Sequence, residues 1–99
     1  MEKLKGSQRR FLRSLANTLK PHVFIGKNGL SEPVLVTIDE SLDNFELIKI
    51  RFLEFKDQKK ELSLTIENQC RCEMVGLVGH VGLFYRQHPD PQKRSIHLP

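Results

Sequence analysis

The sequence predicts an α/β fold: a single compact domain in α-β-α-β-α-β-β order, with a four-stranded mixed sheet and helices packed on it. Three observations point there. Segments whose apolar residues recur every three or four positions alternate with short β-branched and aromatic runs, the pattern of strand–helix–strand crossovers. The last two apolar runs are separated only by Gly79-His80, which suits an antiparallel hairpin and is too short for a crossover. Finally, 99 residues supply one hydrophobic core and are too few for two. The domain is expected to span residues 1–99, with its core at about 8–86 and a loop and C-terminal edge segment at 87–99.

Over residues 8–19, Phe11, Leu12, Leu15, Ala16 and Leu19 form one helical stripe. Ser7 is the expected N-cap, and Pro21 stops the helix because the residue before a proline is pushed out of helical geometry. Lys5, Arg9 and Arg13 lie four apart on another face with Arg10 beside them, and are expected to face water. Residues 22–25, bounded by Pro21 and Gly26, read as a short buried strand. Ser31 is the expected cap of a second helix, with Glu32 suited to the positive helix end and Pro33 tolerated in the first turn. Leu30 can staple onto Leu35, Ile38 and Leu42 continue the stripe, and the helix is expected to end near Asp43 and Asn44.

Residues 47–53 alternate, with Ile48, Ile50 and Phe52 on one side and Lys49 and Arg51 on the other. Those two cations either extend a basic surface or pair with carboxylates of the second helix, and pairing is the favoured expectation. Asp57 is expected to cap a third helix with Leu62 and Ile66 inward. Residues 72–78 and 81–86 form the hairpin. Residues 87–94 are polar and proline-interrupted, which suggests a mobile loop before an edge segment at 95–98.

The net charge of +4 conceals a segregation. Residues 1–29 carry seven cations against Glu2 alone, a net of +6; residues 30–69 carry five against nine, a net of −4; residues 70–99 carry four against two, a net of +2. Such asymmetry makes one region attractive to polyanions. No apolar run approaches the roughly 20 residues that cross a bilayer, and the N-terminus lacks the apolar block of a secretory signal, so a cytoplasmic protein is expected. Cys70 and Cys72 flank a single residue, a spacing that rarely closes a disulfide, and read as reduced thiols. With His80 and His88 they make four possible zinc ligands, but without the usual paired loop spacing. His22, at a strand start, reads as a structural histidine. No spacing suggests a triad or a metal-binding carboxylate pair, so neither an enzyme nor a cofactor is expected.

Gly26-Lys27-Asn28-Gly29 joins the first strand to the second helix. The first-turn N–H groups of that helix lack partners and carry partial positive charge. Glycine lets a phosphate approach the backbone, Asn28 tolerates left-handed geometry, and Lys27 adds a point charge. A GxxG loop of this kind clamps the nucleic-acid backbone in KH modules. It is not a P-loop, since no GxxxxGK[ST] occurs in the chain.

The strings Gln8-Arg9-Arg10-Phe11-Leu12, Leu19-Lys20-Pro21, Ile25-Gly26-Lys27-Asn28-Gly29-Leu30-Ser31-Glu32, Glu46-Leu47-Ile48-Lys49-Ile50, Val78-Gly79-His80 and Leu83-Phe84-Tyr85-Arg86 together resemble the CRM domain, the chloroplast RNA splicing and ribosome maturation family. The resemblance runs in order over residues 8–98 and is strongest to the family's short, free-standing bacterial, YhbY-like branch. It departs over residues 58–69, which are less regular than the family's third helix. It implies a fold like the C-terminal domain of translation initiation factor three and an RNA-binding module; a monomer that does not engage a membrane is expected. It also implies association with ribosomal RNA in precursors of the large ribosomal subunit, and a role in ribosome assembly. Carried onto this chain, Gly26, Lys27, Asn28 and Gly29 become the RNA clamp, with Arg9, Arg10, Arg13 and Lys20 a flanking patch. The competing expectation is a protein-interaction module that docks on ribosomal proteins or an assembly GTPase through the acidic second helix.

Overall fold

The computed structural model describes residues 3–99. Helix α1 (Gly6–Ala16) leads into strand β1 (Val23–Ile25), helix α2 (Glu32–Phe45) and strand β2 (Leu47–Phe52). Helix α3 (Lys59–Cys70) follows a single 3₁₀ turn, and strands β3 (Glu73–Val78) and β4 (Val81–Tyr85) form the hairpin. The sheet order is β1-β2-β4-β3. β1 and β2 are parallel, joined by α2, and β4 is antiparallel to both its neighbours. The hairpin therefore folds back to insert β4 between β2 and β3, and the expected four-stranded mixed α/β sheet results. No helix among the described residues is long and apolar enough to cross a membrane.

The alternation in β2 separates two cores. Ile48, Ile50 and Phe52 join Val23, Ile25 and Phe84 under α2 and α3, which contribute Ile38, Leu42 and Ile66. Leu47, Leu83, Tyr85 and Val75 face the other way, onto Leu12 and Ala16 of α1. Each face hides large aliphatic side chains, each contributing about 1.5–3 kcal/mol of transfer free energy.

Several boundaries differ from expectation for local reasons. α1 starts earlier, with Lys5 at its N-cap in place of Ser7, because the Lys5 N–H donates to the Gln8 side chain (2.9 Å). It ends at Ala16, well before Pro21, as Asn17 and Leu19 turn their N–H groups to carbonyls three residues back. Only Val23 and Ile25 of the predicted buried strand are buried. Phe24 points to the α1 face and is 52% exposed, since the helix stops short of it. α2 continues to Phe45 because Glu46 makes the left-handed turn (φ 61°). Asp57 lies inside the 3₁₀ turn (Lys56–Gln58), and Gln58 takes the N-cap position of α3. α3 is unbroken despite its weak pattern, and its buried Ser63 satisfies its hydroxyl on the Lys59 carbonyl (2.7 Å).

The C-terminal segment is neither a free loop nor an edge strand. The buried Glu46 carboxylate accepts N–H groups from His88 (2.8 Å), Ser95 (2.8 Å) and Ile96 (3.1 Å), while Ile96 and Leu98 pack against the α1 core. Burial alone would raise the Glu46 pKa, but these bonds outweigh it and hold it below its usual 4.5. Arg86 donates to Asp39 (2.6 Å) and Asp43 (2.9 Å), so part of the acidic face of α2 is already engaged.

Candidate nucleic-acid interface

The glycine loop leaves β1 at one end of the sheet and enters α2. Its turn closes through the Gly29 N–H on the Gly26 carbonyl (3.0 Å). Gly29 has φ +62°, and a Cβ there would lie 3.4 Å from the Phe55 ring, so this glycine is needed for the loop itself. Around Gly26 a Cβ would meet nothing within 4 Å, so its bare backbone lies open to a ligand. Lys27 and Asn28 are exposed. Ser31 occupies the N-cap position of α2 but its side chain makes no capping bond, and Pro33 has no N–H to offer. The donors left for an anion in that first turn are the Glu32 and Val34 amides.

Two further segments close around the loop. After β2, the Leu53 and Glu54 N–H groups both donate to the Ile25 carbonyl (2.9 and 3.2 Å), which turns the chain beneath the loop. Phe55, at φ +56°, carries its ring against Gly29. An open hollow of about 690 Å³ lies here, flanked by Lys27, Phe55 and Lys56 and also by the carboxylates Glu54 and Asp57. Lys59 of α3 donates to the Gly79 carbonyl (2.6 Å) and so fastens the β3–β4 turn beside it. His80 in that turn has its pKa lowered from 6.5 by desolvation and by the neighbouring Lys59, Lys56 and Arg51, with Asp57 opposing. Cations thus outnumber the carboxylates Glu54 and Asp57 at this end of the sheet. Among the described residues the salt bridges are Arg9–Glu73, Arg86–Asp39 and Arg86–Asp43, so Lys27, Arg51, Lys56 and Lys59 are not neutralised by a contacting carboxylate.

Gly26, Lys27, Asn28 and Gly29 form the turn at this end, and Lys20 is exposed on the link from α1 to the same edge strand. The α1 arginines lie elsewhere. Arg9 forms an ion pair with Glu73 and donates to the Met74 carbonyl (3.0 Å), and Arg13 donates to the Val75 carbonyl (2.9 Å). Both guanidinium groups therefore hold β3; Arg9 is half-buried, against the expectation that it faces water, whereas Arg13 stays exposed while making its bond. Arg10 is exposed. β3 and β1 are opposite edges, three strand spacings apart, and Arg9 sits level with the start of β2 whereas the loop lies beyond its end. The separation is on the order of 20 Å. The sequence does not bring out Arg51, Lys56, Lys59 and His80 as one group, although the Lys56-x-x-Lys59-Lys60 spacing is a visible signal. Lys49 and Arg51 project from the sheet face opposite α2, so they do not pair with its carboxylates and instead extend the basic surface.

Other candidates dissolve into structure. His22 accepts the Lys49 N–H at Nδ1 (3.1 Å) and packs on Phe45 with ring centroids 4.9 Å apart. Cys70 and Cys72 are free and buried, and burial pushes the Cys72 thiol up to about 12. Among the described residues no three His, Cys, Asp or Glu side chains gather as a metal site would require.

The fold and this surface define a class: a small mixed-sheet domain whose glycine loop, helix start and cations converge at one sheet end. Residues 4–86 match the CRS1/YhbY (CRM) domain, and the chain belongs to that family. It is 34% identical over 100 residues to a Haemophilus influenzae protein named "RNA-binding protein", covering all of this chain and 98% of that one. It is 33% identical over 96 residues to the Pseudomonas aeruginosa protein "Probable RNA-binding protein PA4753", covering 96% of this chain and 92% of that one. The solution structure of SAV1595 from Staphylococcus aureus is 40% identical and superposes with a TM-score of 0.82, over 98% of this chain and all of that one.

Proposed function

We propose that this protein binds RNA through phosphate contacts at the glycine-loop end of its sheet. The single observation that carries this reading is the convergence of an open loop backbone with unneutralised Lys27, Arg51, Lys56 and Lys59. Membership of the CRM family and the names of its relatives support the same ligand. The target we propose is ribosomal RNA in precursors of the large ribosomal subunit, with the protein acting in ribosome assembly as a cytoplasmic monomer, without catalysis or cofactor. The resemblance to the family supports this finer reading. The loop residues Gly26, Lys27, Asn28 and Gly29 clamp the backbone and Lys20 extends the grip. Arg9, Arg10 and Arg13 form an outlying patch, on the order of 20 Å away, within reach of a folded RNA but not of a short strand.

The test is the salt dependence of binding to a ribosomal RNA fragment. With Lys20, Lys27, Arg51, Lys56 and Lys59 on phosphates, log affinity should fall against log salt with a slope of roughly 3.5 to 4.5. A flat response removes the electrostatic mechanism. Sedimentation with ribosomal precursors before and after ribonuclease tests the target, because co-migration that survives digestion favours docking on protein.

A further inference from the structure

Beyond the phosphate clamp, we infer that the uncovered half of the sheet is a seat for an unpaired RNA base, which stacks on Phe24 beside Arg51; this rests on the RNA-binding reading above. The strand registers set four residues in one row: Phe24 opposite Arg51, Arg51 opposite Val81, and Val81 opposite Val78. Cross-strand partners project to the same face, so the row crosses the whole sheet, roughly 14 Å at 4.8 Å per strand. α1 covers the rest of this face but ends at Ala16, and the row stays open: Phe24 is 52% and Val78 68% exposed. Phe24 and Val78 thus stand exposed at the two ends of the row, with Arg51 and half-buried Val81 between them.

The occupant follows from the chemistry of Phe24 and of a hollow that shares Arg51, Val78 and Val81 with the row but is not lined by Phe24. The hollow holds about 300 Å³, with Ala16, Val78 and Val81 as apolar walls, Asn17 at its rim, and Lys49 and Arg51 along one side. Flat apolar surface suits the face of a base, the Asn17 amide can pair with a base edge, and the two cations suit the phosphates on either side. Neither cation contacts a carboxylate among the described residues, so this charge is available to an anion. The row is the last on this face of the sheet before the glycine loop, since the next pair, Ile25 and Phe52, points into the core on the other face and Gly26 follows. A strand whose backbone rests on that loop therefore passes directly over Phe24. A continuous duplex keeps its bases stacked inside and has no face to offer, so the ligand segment is single-stranded.

The experiment compares a labelled unpaired RNA octamer with a blunt RNA duplex of equal length, using the whole chain and Phe24→Ala, Phe24→Leu and Phe24→Tyr. Expected are about tenfold weaker octamer binding for Phe24→Ala and Phe24→Leu, octamer binding retained within about twofold by Phe24→Tyr, and duplex binding unchanged throughout. All three variants should melt like the parent because the ring is exposed. Octamer binding by Phe24→Ala at parental strength overturns the inference, and so does an equal loss for octamer and duplex. In either case the salt-dependent binding of the unaltered protein still stands and the general reading survives. If the unaltered protein binds neither RNA, both readings fall and the row is left as a protein contact.

Discussion

Gly26 and Gly29 bracket the same turn under different constraints. At Gly29 the left-handed backbone and the Phe55 ring both act against a side chain, so Gly29→Ala should cost about 1–2 kcal/mol of stability, read as a lower thermal midpoint. Gly26 has open space around it, so Gly26→Ala should leave the midpoint unchanged while weakening RNA binding, through loss of close approach alone. Lys27→Glu should weaken binding further by reversing a charge, also without change in melting. Unaltered binding by both Gly26→Ala and Lys27→Glu, measured by filter retention, would reduce the loop to a connector. The tetrapeptide was legible in the sequence because both glycines and the lysine are local. The division of labour between the glycines was not, since it depends on Phe55, a residue 26 positions after Gly29.

At the scale of elements, α1 teaches the clearest lesson. Its periodicity correctly separates a buried stripe from a polar one, but periodicity does not say what stands opposite the polar stripe. Here it is β3, whose Met74 and Val75 carbonyls receive the two guanidinium groups at an irregularity in the pairing with β4. The double variant Arg9→Ala with Arg13→Ala should therefore destabilise the fold by roughly 1–3 kcal/mol, since charged donors to carbonyls are lost and Glu73 loses its partner. For a domain near 100 residues that is a fall in melting temperature of at least about 4 °C. A midpoint unchanged from the parent would mean the contacts contribute nothing. The strand boundaries, the crossover and the hairpin were legible because alternation and turn residues are short-range signals. The anchoring of the C-terminal segment was not, because it depends on one buried carboxylate, Glu46, about 50 residues away in sequence.

For the molecule as a whole, the buried titratable groups define a pH window. His22 has its pKa lowered from 6.5, by burial and then by Lys49, so protonation favours the unfolded chain and stability declines as pH falls below about 6.5. Glu46 is lowered from 4.5, so its contribution is present above that value and is lost as pH falls through the lower folded value. Cys72 and Tyr85 are both pushed up to about 12, chiefly by burial. Their contributions are whole below the ordinary 9.0 and 10.0 and are lost as pH rises toward 12. Melting temperature against pH should thus plateau between about 6.5 and 9, and His22→Asn should reduce the decline that begins just below 6.5, leaving the share of His80, which is also lowered from 6.5. An acid limb identical in that variant would assign the step to other groups. Charge segregation, visible along the chain, foretold a basic region. Its true location required the tertiary arrangement, because Arg51, Lys56 and Lys59 belong to a segment whose net charge is negative. One more consequence follows from the sheet order. A neighbouring molecule seeking to add a strand finds three residues of β1 on one flank, and on the other a β3 backbone with two carbonyls already taken by arginine. Fibril growth by edge addition is thereby starved of a template, which suits a domain that must remain dispersed while it waits for its nucleic acid.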